Sequence, residues 1–212
     1  FQVKKKSKLS NARLGLINTS HGKINTPSFI FCGTKATVKS VLPSQLKLAR
    51  TQIILSNTYH LMLQPGPEII SKEGGLQSFT DWNGPMMTDS GGYQIFSLGY
   101  GSVSEEIKGK NNNAKRKSLI KITEDGASFR NYINGDKVFL SPERSIELQR
   151  DFGADLIFVL DECTPFNVSK KYTEKSMYMS HRWAARCKNS FDSKFKKYNS
   201  TFGSSGKQSL YG

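Results

Sequence analysis

Cysteine is scarce in this chain and poorly arranged for its usual structural uses. Three occur in 212 residues, Cys32, Cys163 and Cys187, far apart and odd in number. That pattern excludes a disulfide framework and points to a reducing compartment, here the cytoplasm. No CxxC pair is present, so no metal site is expected from these residues. Long apolar runs are missing as well. The strongest, "LIFVL" at residues 156–160, falls far short of the roughly 18 residues that cross a bilayer, so no membrane partner is expected. No signal peptide is visible, and the opening Phe1, in place of Met, suggests that residues precede it. Acidic residues are the last deficit: 17 Asp and Glu stand against 31 Lys and Arg, a net charge of +14. Such a surplus favours a polyanionic partner, most often nucleic acid, over a neutral small molecule alone. The basic residues cluster at Lys4, Lys5, Lys6 and Lys8, through the 99–120 segment (Lys108, Lys110, Lys115, Arg116, Lys117), and from Lys170 onward. The plainer alternative is a solvated lysine-rich surface.

What is present is a recurring strand–helix unit. Residues 12–31 read as an antiparallel hairpin turning at Ser20-His21-Gly22, with residues 28–32 as a buried strand. A helix starts at Pro43, followed by the strand "IIL" at residues 53–55, a short helix through Ile69 and Ile70, and a third strand ending at Thr88. An excursion over residues 98–140 carries two hairpin turns, "TEDGAS" and "YINGDK". Ser141-Pro142-Glu143 opens a helix that stops at Gly153, residues 156–160 form a fourth strand, and a long helix spans about 172–191. "QSLYG" at residues 208–212 looks like a fifth strand. This alternation predicts an α/β fold with a parallel sheet. Its two forms are the first half of a (β/α)8 TIM barrel, with antiparallel sheet near the start and inserted after the third strand, or an open doubly wound sheet. A closed barrel needs eight strands and this chain carries half of them. Residues 1–212 are therefore expected to be the N-terminal portion of one barrel domain.

Sites on parallel sheets lie at the carboxyl ends of strands. Three strands here end in "SNTYH" (Asn57, His60), "DSGGYQ" (Asp89 to Gln94) and "DECTP" (Asp161). Asp89 is thereby carried to the mouth, Gly91 and Gly92 leave room for a flat ligand, and Tyr93 offers a ring for stacking. Asp161 can accept two hydrogen bonds from a guanidine-like edge such as that of guanine. Plainer readings exist for each: Asp89 as a helix N-cap, Asp161 as half of an ion pair, His60 as a packed residue. His21 and His181 invite no role, and Trp183 reads as core beside Met179, Cys187 and Phe191.

Six motifs in order carry a resemblance: "TPSFIFCGTKATVKSVLP", "IILSNTYHLMLQPG", "TDSGGYQIFSL", "FLSPERSIELQ", "GADLIFVLDECTPF" and "HRWAARC". Together they cover nearly the whole chain, which resembles the tRNA-guanine transglycosylases, or queuine tRNA-ribosyltransferases, of bacterial type. The resemblance implies a (β/α)8 barrel that exchanges the wobble guanine of GUN-anticodon tRNAs for a 7-deazaguanine through a covalent aspartyl-ribosyl intermediate. It implies Asp89 as the catalytic acid/base, and a base pocket formed by Asp89, Ser90, Gly91, Gly92, Tyr93 and Asp161. Asn57 and Gln94 would orient Asp89. The implied partners are a tRNA anticodon stem-loop and guanine or a 7-deazaguanine base, in a homodimer. "GGY" favours queuosine over archaeosine synthesis. The nucleophile and the zinc ligands of the family match nothing here and are expected beyond Gly212, so the chain alone is expected to be inactive. Two other readings stay open: a non-catalytic tRNA-binding subunit, and a barrel glycosidase acting on sugars.

Overall fold

The computed structural model describes residues 1–100, 120–166, 168–198 and 208–212. The basic residues of the 99–120 segment fall outside the described residues. The chain opens with an antiparallel sheet of β1 (Gln2–Lys6), β2 (Arg13–Thr19) and β3 (Gly22–Thr26), in that order. β2 and β3 form the expected hairpin about Ser20 and His21. Next come β4 (Phe31–Cys32), α1 (Pro43–Leu48), β5 (Ile54–Ser56), α2 (Thr58–Leu63), α3 (Pro67–Lys72), α4 (Leu76–Phe79), β6 (Met86–Thr88) and α5 (Gly92–Tyr100). A second antiparallel sheet follows, β7 (Lys121–Thr123), β8 (Gly126–Arg130) and β9 (Lys137–Leu140). The chain continues through α6 (Pro142–Phe152), β10 (Leu156–Phe158), α7 (Lys170–Tyr198) and β11 (Ser209–Tyr211). Strands β11, β10, β6, β5 and β4 form one parallel sheet in that order, so the fold is mixed α/β.

Most element boundaries follow local chemistry. α6 begins at the Ser141 N-cap, whose hydroxyl accepts the Arg144 N–H at 3.2 Å, with Pro142 and Glu143 in the first turn. It ends at Gly153 in the left-handed region, φ 74°, where a side chain would be strained. One expectation fails. Residues 28–32 do not form a buried strand: only Phe31 and Cys32 pair, and Phe29 and Ile30 are exposed. The cause is position, because β4 is an edge strand with β5 as its one partner. Two short helices, α2 and α4, escaped the periodicity argument because six and four residues are too few to display a repeat.

Side chains on the parallel strands alternate between two cores. Ile54, Met86 and Ile157 join a large cluster with Leu46, Leu61, Ile70, Leu76, Ile146, Phe152 and Trp183, so that helices α1 to α7 all pack on this face. Ile53, Met87 and Leu156 point the other way and meet Ile24 and Ile17 of the β2–β3 hairpin, with no helical residue among them. An apolar cavity of about 350 Å³ lies on that side, bordered by Ile17, Met87, Leu156, Phe158 and Tyr211. The second antiparallel sheet is fastened to α7. Trp183 is buried and its indole N–H donates to the Glu124 carbonyl at 2.7 Å. Arg182 and Arg186 grip Glu124 and Glu143 through paired bonds of 2.7–2.8 Å. Exposed ion pairs stabilise little, so burial of Trp183, about 2 kcal/mol, does most of the fastening.

His21, to which the sequence assigned no role, closes the hairpin onto the sheet. Its Nδ1 lies 2.9 Å from Asp155 Oδ1, and the buried Asp155 also accepts the Met86 N–H at 3.0 Å and a Gln77 amide N–H at 3.3 Å. This pairing joins residues 134 positions apart, which no local pattern announces. The Asp155 hydrogen bond holds the His21 pKa above its ordinary 6.5, against the opposing effect of burial. A raised histidine pKa stabilises the fold fully below 6.5, and that contribution is lost as pH rises through the folded value. His21→Ala is therefore expected to lower unfolding free energy by about 1–2 kcal/mol near pH 6, less at about pH 9, because the ring is partly open to water. Urea unfolding at the two pH values checks this; an equal loss at both would assign the effect to packing.

Candidate active site

The parallel register of β5 and β6 builds the site. Ser56 pairs with Thr88, so the next residues, Asn57 and Asp89, emerge side by side at the carboxyl ends of the two strands. The Asp89 carboxylate accepts the Thr58 N–H at 3.0 Å and is hydrogen-bonded to the Asn57 side-chain amide. Asn57 is itself fixed as the N-cap of α2, its oxygen accepting the His60 N–H at 3.0 Å. The Thr58 hydroxyl donates to the Asp89 carbonyl at 2.6 Å. Asp89 thus accepts an otherwise unpaired N–H at the start of the neighbouring helix α2. Burial pushes its pKa up from 3.8 to about 6; the Thr58, Asn57 and Gly91 donors pull it down, and the Asp161 charge adds to the rise.

Asp161 follows β10, the strand next to β6. As a residue it is exposed, yet protein packed around its carboxyl group raises its pKa, with the Ser90 hydroxyl acting in the opposite direction. Ser90 Oγ donates to Asp161 Oδ1 at 3.3 Å and accepts the Gly92 N–H at 3.2 Å, linking the two carboxylate segments. Among the described residues no Lys or Arg pairs with Asp161, so the ion-pair alternative finds no support there. The glycines have a nearer purpose than clearing space for a ligand. A Cβ on Gly92 would sit 2.6 Å from the Asp161 carbonyl and 2.7 Å from its Oδ1, while Gly91 has φ 87°. Gly92 is thus needed to bring the two segments together, and Gly91 takes a left-handed backbone conformation that favours glycine. Tyr93 leaves its ring half exposed, 6.0 Å from that of Phe96. Gln94 makes no hydrogen bond to Asp89 among the described contacts; its side-chain oxygen is buried without a partner.

Sequence reasoning missed the support beneath this surface. Ser145 and Gln149 lie one turn apart on α6 and are fully buried. Ser145 donates to the Ser90 carbonyl at 2.9 Å. Gln149 accepts from Thr88 Oγ1 at 3.1 Å and from the Phe158 N–H at 2.9 Å, and donates to the Phe158 carbonyl at 2.8 Å. One helix thereby sets the relative height of β6 and β10. The available signal was two polar residues at i and i+4 among Ile146, Leu148 and Phe152.

Two carboxylates, Asp89 and Asp161, thus lie past the carboxyl ends of adjacent strands of the parallel sheet, and burial raises the pKa of both. The profile of a family described as "Queuine tRNA-ribosyltransferase" matches residues 7–206, and the chain belongs to that family. A queuine tRNA-ribosyltransferase of Roseiflexus sp. (strain RS-1) is 45% identical over 188 residues, 88% of this chain and 47% of that protein. One from Staphylococcus aureus (strain JH9) is 46% identical over 183 residues, 86% of this chain and 44% of that protein. The chain spans about half the length of these curated relatives.

Proposed function

We propose that this chain is the base-recognising half of a tRNA-guanine transglycosylase and the first half of a (β/α)8 barrel. The barrel is supported by the one-sided packing: every helical core residue lies on one face of the sheet, whereas a doubly wound sheet carries helices on both. A second half would pair the open edges at β4 and β11 and cover the apolar cavity.

The observation that carries the activity is the Asp89 carboxylate, pinned by Asn57 and Thr58 beside Asp161 with a pKa of about 6. In the proposed reaction an aspartate contributed by the second half attacks ribose C1′ of the wobble nucleotide, and the bond from C1′ to guanine N9 breaks. The departing guanine takes the proton that Asp89 carries. A 7-deazaguanine then enters, Asp89 accepts the proton from its N9, and N9 displaces the ester oxygen at C1′. Donor and acceptor roles alternate on one group, as a pKa near working pH favours. Asp161 receives the ring N–H and exocyclic amine of either base, and Tyr93 stacks on it. The polyanion that the charge surplus favours is the anticodon stem-loop of a GUN tRNA, its target base flipped out of the loop. A homodimer in the cytoplasm completes the reading. Zinc does not fit these residues: Cys187 is buried against Pro142 and Leu160, Cys32 is exposed on an edge strand, and no three ligand-type side chains converge among the described residues.

The test is the pH dependence of kcat/KM for the incoming base in the full-length protein. Asp89 must be ionised to accept the proton, so the value falls tenfold per pH unit below about 6 and levels above it. A profile flat down to about pH 4.5 would remove Asp89 from this role.

A further inference from the structure

A cation and an exposed aromatic ring stand together against Tyr59 and His60, the residues that follow the Asn57–Thr58 segment holding Asp89, and the chemistry above uses neither. The turn after β8 carries Tyr132, whose ring is half exposed. Lys35 Nζ lies 5.7 Å from the centre of that ring. His60 approaches its edge, with ring centres 5.9 Å apart and Nδ1 3.4 Å from the Tyr132 hydroxyl. The buried ring of Tyr59 lies nearly parallel to it, centres 6.2 Å apart.

The cluster belongs to the mouth through its connections. Tyr59 and His60 directly follow Asn57 and Thr58, which hold Asp89. Lys35 follows Thr34, whose carbonyl accepts the Asn57 N–H at 3.1 Å. Tyr132 itself is held on a well-bonded turn. Asn131 N–H donates to the Asp136 carbonyl at 2.8 Å, Gly135 N–H to the Asn131 carbonyl at 2.8 Å, and Ile133 N–H to Asn131 Oδ1 at 2.9 Å. Arg130 Nη1 adds a bond to the Gly135 carbonyl at 3.0 Å. A half-exposed aromatic ring on a braced turn loses little freedom when something stacks on it. Burial and the Lys35 charge lower the His60 pKa, so this ring is neutral at pH 7 and the lysine supplies the cluster's charge.

We propose that Tyr132 is a stacking contact for an unpaired nucleotide adjoining the one whose base enters the site, with Lys35 taking a neighbouring phosphate. The ligand class is single-stranded loop RNA, for which a planar ring beside a cation is the simplest reader: every base has a face to stack and every link has a phosphate. A carboxylate-bearing protein partner would engage Lys35 and leave the ring unused. His60 is a positioning residue here, fixing the ring through its hydroxyl. The proposal rests on the transglycosylase reading for its location, and its test separates the two.

Binding of a fluorescein-labelled anticodon-type stem-loop RNA to the full-length protein is measured by anisotropy, beside guanine exchange. Tyr132→Ala is expected to raise the stem-loop Kd about tenfold. Tyr132→Phe, which keeps the ring, stays within about threefold. Lys35→Ala is expected to reduce the slope of log Kd against log salt by about 0.7, the share of one phosphate. KM for guanine does not move in any of them. The contact is overturned by a Kd within about twofold of wild type in both Tyr132→Ala and Lys35→Ala. It is also overturned if guanine KM rises in step with Kd, which would mark a disturbed base pocket, or if the wild type fails to bind the stem-loop at all. If the wild type binds the stem-loop without exchanging guanine, the transglycosylase reading fails, and the same Kd comparison still decides the contact.

Discussion

Asp89→Asn in the full-length protein is expected to lower the rate of base exchange about 10³-fold while leaving the Kd for tRNA within about twofold. The substitution keeps the shape of the side chain, its place beside Asn57 and an oxygen to accept the Thr58 N–H. It removes the one property the mechanism requires, a group that gives up and regains a proton near pH 6. A second readout separates this from simple damage. The folded-state pKa of Asp89 lies above its ordinary 3.8, so its contribution to stability is fully present below 3.8 and lost as pH rises through about 6. At about pH 8 the wild type therefore holds a costly buried charge that the variant lacks. Asp89→Asn is expected to melt higher than wild type there, with the gap closing towards about pH 4. A variant that is inactive and also less stable at about pH 8 would point to a structural role instead.

Asp161→Ala is the second large effect. Two hydrogen bonds from the base to a carboxylate are worth about 2–3 kcal/mol together, so KM for guanine should rise about 30- to 150-fold. The change also leaves the Ser90 hydroxyl without its acceptor, so loss of affinity by itself is ambiguous. Selectivity removes the ambiguity. Hypoxanthine lacks the exocyclic amine of guanine, so the wild type should prefer guanine, and the preference should collapse in both Asp161→Ala and Asp161→Asn. An amide offers one acceptor and one donor where the guanine edge needs two acceptors. A variant with weaker binding and unchanged preference would mean that the edge is read elsewhere.

Much of this geometry was legible because a parallel strand carries its next residue to a predictable end. "MMTD" places Asp89 directly after β6, whereas the strand expected over residues 156–160 ends at Phe158, so Asp161 follows β10 after two further residues. The link between Asn57 and Asp89 follows once "ILSN" and "MMTD" are set in register, Ser56 against Thr88. What stayed hidden was whatever depends on register across long stretches of chain. His21 meets Asp155, Ser145 meets Ser90, and the Tyr132 turn meets His60, each through tertiary packing that no local pattern pairs. The sequence marks the glycine pair as a place of close approach, and at Gly92 one such approach comes from within the chain. The backbone and carboxylate of Asp161 occupy the space a side chain on Gly92 would take. Gln94 shows the converse: adjacency in a motif does not place a side chain on its neighbour's carboxylate.

In the proposed function this half-site recognises a guanine-type base for exchange into tRNA. The most direct measurement is incorporation of radiolabelled guanine into unmodified GUN-anticodon tRNA by the full-length protein, with the product digested to locate the label. The account predicts label at the wobble position alone, and none with Asp89→Asn. Tight tRNA binding by the wild type with no incorporated label would contradict it, and would identify the protein as a tRNA-binding subunit without chemistry of its own.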